Sequence, residues 1–181
     1  RDFGENRVQE LAAKAAVLPK DIRWHMIGRI QTNKIREFAL FVHLVHSVDR
    51  VDVLTVLQKE ALRAGRTIDI LLQVHIAQEE TKAGFSPAEV LGLCAVNVLN
   101  EYPNLRVVGL MGMASLTEDR NQIRSEFARL AGLYRAAQEQ LGVGQITVLS
   151  MGMSGDYDLA LAEGGNHIRV GSLLFGARSN Q

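Results

Sequence analysis

The sequence LSMGMSGDYDLALAEGGNHIRVGSLLFGAR, residues 149–178, carries two strand ends in close succession. The apolar run ITVLS (146–150) leads into it and breaks at Gly152 and Ser154. An Ala/Leu-rich segment then reads as a helix, and HIRVG (167–171) reads as a second strand ending at Gly171 and Ser172. Each strand end is thus followed by glycine, a hydroxyl and a helix start. In a (β/α) barrel the loops after the last two strands commonly hold a phosphate, because backbone N–H groups at a helix N-terminus converge there and its dipole favours an anion. A phosphate cup built from Ser154 and the Gly171-Ser172 turn is one reading. The other is that glycine and serine only shape turns and caps.

The preceding chain repeats the same unit. A short extended DFG piece is followed by a helix over 6–18, with Val8, Leu11, Ala12 and Ala15 at helical spacing. A strand over 22–28 closes at Gly28, and a helix over 29–40 follows, with Thr32 as its cap. After a strand over 42–48 comes a helix over 50–65, whose Val53, Leu54, Leu57 and Leu62 form one face and which Gly65 stops. The apolar run 67–76 suits a parallel strand covered on both sides. Ser86 and Pro87 open a helix over 86–102, in the cap and first helical positions. A strand over 105–114 and a long amphipathic helix over 119–141 complete the series.

Such alternation implies parallel βαβ units and an α/β fold in one domain, residues 1–181. Seven strands can be counted, whereas a closed (β/α)8 barrel has eight. The chain starts at Arg1 instead of methionine, so the expectation is a TIM-type barrel, N-terminally truncated, whose first βα unit lies ahead of the residues given. An open doubly wound sheet would accept seven strands, but no G-x-G-x-x-G follows the first of them.

Composition narrows the function. Twenty basic and twenty acidic residues cancel, with no block of like charge, so neither nucleic acid nor a membrane surface is an expected partner. No apolar run is long enough to span a bilayer, and no signal peptide is recognisable. Cys94 sits in VLGLCAVNVL, where an inert buried thiol is expected, and a single cysteine fits a reducing cytoplasmic location.

If the strands are parallel, residues just past their C-terminal ends share one rim. That rim collects Glu5 and Asn6, His25 to Arg29, Ser47 and Asp49, His75 and Gln78, Met111 and Met113, Ser150 to Ser154, and Arg169 to Ser172. It is rich in donors and poor in carboxylate pairs, which suits holding an anionic, planar ligand better than hydrolysis. His25 and His75 alternate with apolar neighbours and read first as satisfied core histidines. His43, His46 and His167 show no metal spacing, so no metal is expected. Arg169, between Ile168 and Val170, would point a permanent cation inward. Its partner is either a carboxylate such as Glu5 or Asp156, or a ligand.

Four ordered motifs, GENRVQE (4–10), WHMIGRIQTNK (24–34), SMGMSGD (150–156) and RVGSLLFGAR (169–178), resemble the YggS/PROSC family of pyridoxal phosphate homeostasis proteins. The resemblance implies a barrel similar to the N-terminal domain of alanine racemase. It also implies pyridoxal 5'-phosphate (PLP) as cofactor, and a role in buffering or delivering PLP without robust catalysis. By position, Ser154, Gly171 and Ser172 would hold the phosphate and Arg169 would face the pyridine nitrogen. Asn6 and Met111 would line the ring, and Ser150 would contribute at the phosphate. The family's Schiff-base lysine belongs to a strand ahead of the GEN motif. None of Lys14, Lys20, Lys34, Lys59 and Lys82 matches it, so no catalytic residue is expected here. The alternatives are a racemase-like PLP enzyme, whose relatives carry a second, largely β domain, and a degenerate barrel that binds no cofactor.

Overall fold

The computed structural model describes residues 1–79, 81–95 and 99–176. Seven strands run parallel: β1 (Asp2–Glu5), β2 (Arg23–Met26), β3 (Leu44–Val48), β4 (Ile68–Val74), β5 (Leu105–Gly112), β6 (Val148–Met153) and β7 (His167–Arg169). Each hydrogen-bonds the next in chain order, so β1 and β7 end the series. Helices α1 (Val8–Val17), α2 (Val51–Arg63), α3 (Pro87–Cys94), α4 (Arg120–Leu141), α5 (Tyr157–Ala162) and α6 (Ser172–Phe175) follow strands in the expected alternation.

The sheet is curled into a nearly closed barrel. In a flat sheet β3 and β6 would lie roughly 14 Å apart, three strand spacings. Yet His46 Nδ1 of β3 stands 3.0 Å from Ser150 Oγ of β6. Curling gives the sheet two apolar faces. The outer one packs under the helices in a core that includes Leu11, Met26, Phe38, Leu54, Leu72, Phe127 and Leu130. The inner one is small, built from Leu44, Leu71 and Met111 with Val108, Met113 and Val148 against them.

Local chemistry sets most boundaries as read. Ser86 accepts the Glu89 N–H, while the Glu89 side chain accepts the Ser86 N–H, a closed capping box with Pro87 at the first helical position. Asp119 caps α4 through the N–H groups of Asn121 and Gln122. Three details differ from the sequence reading. Residues 29–40 form no α-helix; a 3-10 helix spans Thr32–Glu37, preceded by Gln31, and Thr32 caps nothing. The tighter turn places Ile35 and Phe38, three apart and both fully buried, on one face. On α2 the buried stripe is Val53, Leu54, Leu57 and Ala61, and Leu62 is 64% exposed, because it falls one position round the helix from that stripe. The helix expected over 86–102 ends at Cys94, and a 3-10 turn covers Leu99–Glu101; residues 96–98 lie outside the described set.

One glycine fixes the approach of two rim loops. A Cβ on Gly28 would lie 2.1 Å from the Asn6 carbonyl oxygen, so only glycine lets the loop after β2 pass that close to the loop after β1.

Candidate functional site

The strands bring most of the rim residues together. Ser154, just past β6, accepts hydrogen bonds from the N–H groups of Gly171 and Leu173, at 3.3 and 3.4 Å. Ser172 begins α6 between those two donors. Glycine at 171 keeps side-chain bulk out of that turn: a Cβ there would meet nothing within 4 Å, so the space beside it is open. Asp156 holds the preceding turn by accepting the Met153 N–H at 2.6 Å.

Arg169 reaches across the barrel. Its Nη1 donates to Ser150 Oγ at 2.8 Å and its Nη2 to the Gly112 carbonyl at 3.1 Å. Among the described residues it has no carboxylate partner. Glu5 pairs with Lys14 instead, and Asp156 lies near enough only to favour the charge from a distance. Burial lowers its pKa to about 10, against the pull of Asp156, so the guanidinium stays a cation at neutral pH.

Ser150 is fully buried, and its Oγ is shared between Arg169 and His46, deep in the barrel. Met111 is also fully buried and faces the interior with Leu44 and Leu71. Asn6 is exposed at the rim beside Gly28. The two long-shot lysines are engaged elsewhere: Lys34 pairs with Glu37 at 2.9 Å, and Lys82 pairs with Glu79 at 3.1 Å while donating to the Ala114 carbonyl. Cys94 is buried, which pushes its thiol up to about 11 and leaves it unreactive.

Sequence reading did not connect the histidines. His25 and His46 come from β2 and β3, and their rings meet through His25 Nδ1 and His46 Nε2 at 2.9 Å. His25 Nε2 lies 3.2 Å from Asp2 Oδ1, and His43 brings a third ligand-type atom within 4.8 Å of that pair. A histidine facing the same way on each of two neighbouring strands was the available signal. His75 is satisfied separately, through the Glu79 carbonyl at 2.9 Å.

Both buried imidazoles are held neutral. Burial lowers His25 to about 4, with Asp2 opposing the shift, and holds His46 well below its ordinary value. The unfolded chain takes up protons on these rings near pH 6.5, whereas the folded chain resists until about pH 4. Stability is therefore expected to be complete above pH 6.5 and to fall as the pH drops toward 4. Urea melts across that window check this; a midpoint that stays level would place the two rings in water.

A parallel barrel with a hydroxyl–amide cup and an inward arginine at adjacent late strands defines a class. Residues 1–179 match the family described as the alanine racemase N-terminal domain. The chain is 39% identical over 177 residues to the pyridoxal phosphate homeostasis protein of Aquifex aeolicus, covering 97% of this chain and 76% of that one. PipY of Synechococcus elongatus superimposes with a TM-score of 0.88 in a structure without PLP, at 38% identity, covering 96% of this chain and 81% of PipY. The structure of PipY with PLP bound gives a TM-score of 0.84 at 37% identity, with the same coverage. The chain belongs to the family of pyridoxal phosphate homeostasis proteins.

Proposed function

We propose that this chain binds PLP at the rim formed by β6, β7 and the loops after them, and that its task is to hold and release the cofactor rather than turn over a substrate. The supporting observation is a pair of backbone N–H groups converging on Ser154 Oγ, just past β6, together with an inward guanidinium on the neighbouring strand β7 that has no carboxylate partner among the described residues. Ser154, Gly171 and Ser172 hold the phosphate. Arg169 faces the pyridine nitrogen and Asn6 lines the ring, while Met111, fully buried with Leu44 and Leu71, packs in the interior below it. Ser150, fully buried with its hydroxyl between Arg169 and His46, steadies Arg169 instead of reaching the phosphate.

When bound, PLP supplies an aldehyde and an electron-withdrawing ring. Arg169 can only donate hydrogen bonds, so it disfavours protonation of the ring nitrogen that it faces. An unprotonated ring is a weak electron sink, which fits custody of the cofactor better than carbanion chemistry.

Titration with PLP, followed by thermal denaturation, tests the reading. Ligand at about a hundred times its dissociation constant should stabilise the fold by about 2.7 kcal/mol. Borohydride treatment of the loaded chain should trap no lysine, since Lys14, Lys34 and Lys82 are ion-paired, Lys20 donates to helix carbonyls and Lys59 is exposed on α2. No stabilisation by PLP, or a stoichiometric adduct on one of these lysines, would overturn this assignment.

A further inference from the structure

A continuous series of side-chain hydrogen bonds crosses the interior from β7 to β1. Arg169 Nη1 is 2.8 Å from Ser150 Oγ, which is 3.0 Å from His46 Nδ1. His46 Nε2 is 2.9 Å from His25 Nδ1, and His25 Nε2 is 3.2 Å from Asp2 Oδ1. The two ends are chemically unlike. A guanidinium can only donate and a carboxylate can only accept, whereas each element between them can do both.

We propose that His25 and His46 are both neutral Nε2–H imidazoles forming a one-way relay, and that they act as positioning residues which turn a lone pair of Ser150 toward Arg169. The inference rests on the reading of Arg169 as the residue facing the pyridine nitrogen.

The assignment follows from the ends inward. Asp2 accepts from His25 Nε2–H, which leaves the lone pair of His25 on Nδ1. That lone pair accepts from His46 Nε2–H, which leaves the lone pair of His46 on Nδ1. His46 Nδ1 then accepts the Ser150 hydroxyl hydrogen, and the oxygen so oriented accepts from Arg169. Each ring, and the hydroxyl between them and Arg169, then donates once and accepts once along the series. Reversing the neutral rings would set the His25 lone pair against the Asp2 carboxylate, acceptor facing acceptor. A charged His25 could donate at both ends, but it would bury a second cation along the line from Arg169, and burial holds that ring neutral.

Two consequences follow. The Ser150 hydroxyl cannot rotate to donate elsewhere, so the guanidinium rests on an acceptor fixed from β1, at the far end of the sheet. In this tautomer the lone pair of His25 is on Nδ1 and already accepts from His46, so the Asp2, His25 and His43 trio offers a metal no free lone pair from His25.

Long-range nitrogen–proton NMR of the histidine rings at neutral pH reads the tautomers directly and needs no cofactor. Both His25 and His46 should appear as neutral Nε2–H forms. Asp2 is half exposed, so its variants test the relay without opening the core. Asp2→Asn keeps a carbonyl that can accept from His25 and should leave both tautomers unchanged. Asp2→Ala removes the acceptor; both rings should then show mixed tautomers, and the PLP dissociation constant should rise roughly threefold to tenfold. Both variants lose the Arg23 ion pair, so the difference between them isolates the acceptor. An Nδ1–H or doubly protonated ring in the unaltered chain would overturn the relay, as would Asp2→Ala with unchanged tautomers and affinity. Failure of the unaltered chain to bind PLP would instead sink the functional reading, and the tautomers would still judge the relay.

Discussion

Ser154→Asp should lose PLP binding by at least roughly a hundredfold while the fold stays as stable as before or gains slightly. Ser154 Oγ already accepts from the Gly171 and Leu173 N–H groups. A carboxylate in that position accepts the same donors more strongly, and a negative charge at a helix start is favourable by a few tenths of a kcal/mol to about 1 kcal/mol. The phosphate, however, would meet a like charge, and two unit charges about 4 Å apart repel by about 4 kcal/mol at an effective dielectric near 20. Opposite movements of stability and affinity separate this effect from simple damage. Thermal melts paired with PLP titration read both, and wild-type affinity in the variant would move the phosphate to another part of the rim.

The second large effect falls on the fold. A Cβ on Gly109 would lie 1.8 Å from the Val148 carbonyl oxygen, its register partner on β6. Gly109→Ala must therefore push β6 away from β5 and weaken the Leu110–Leu149 and Met111–Ser150 pairings beside it. Overpacking against backbone costs about 3 kcal/mol at the upper end of the usual range, which lowers the melting temperature of a chain this size by on the order of 10 °C. Because Ser150 rides on β6, its bonds to Arg169 and His46 should loosen together with the sheet. Gly132, within α4, is the internal control: a Cβ there meets nothing within 4 Å, and alanine should stabilise the helix by roughly 0.5–1 kcal/mol. Equal melts for the two variants would mean that the β5–β6 register is wrong.

Most of the fold was legible because its signals are local. Strand and helix alternate with little between them, and Ser86, Pro87 and Gly65 each mark a boundary by their own backbone chemistry. The short turn at Thr32–Glu37 was misread because a spacing of three and a spacing of three to four share Ile35 and Phe38, and only the packing chooses between them. The meeting of Ser154 with the Gly171 turn was legible for the same local reason, since each follows a strand end. The histidine series was not. His46 and Ser150 are 104 residues apart, and nothing in either neighbourhood announces that curling the sheet makes them touch. Arg169 marks the boundary between the two cases. Its inward aim could be argued from an arginine between two aliphatics, but its acceptors, a serine and a backbone carbonyl, could not.

The hydroxyl of Ser154 has a thermodynamic consequence of its own. Because it already engages two rim amides, an arriving phosphate trades one acceptor for another instead of satisfying bare donors, and such exchanges return only a fraction of a hydrogen bond's full strength. Inorganic phosphate alone should therefore cling feebly, and whatever leaves the rim surrenders little when it goes. That is the temperament of a lender.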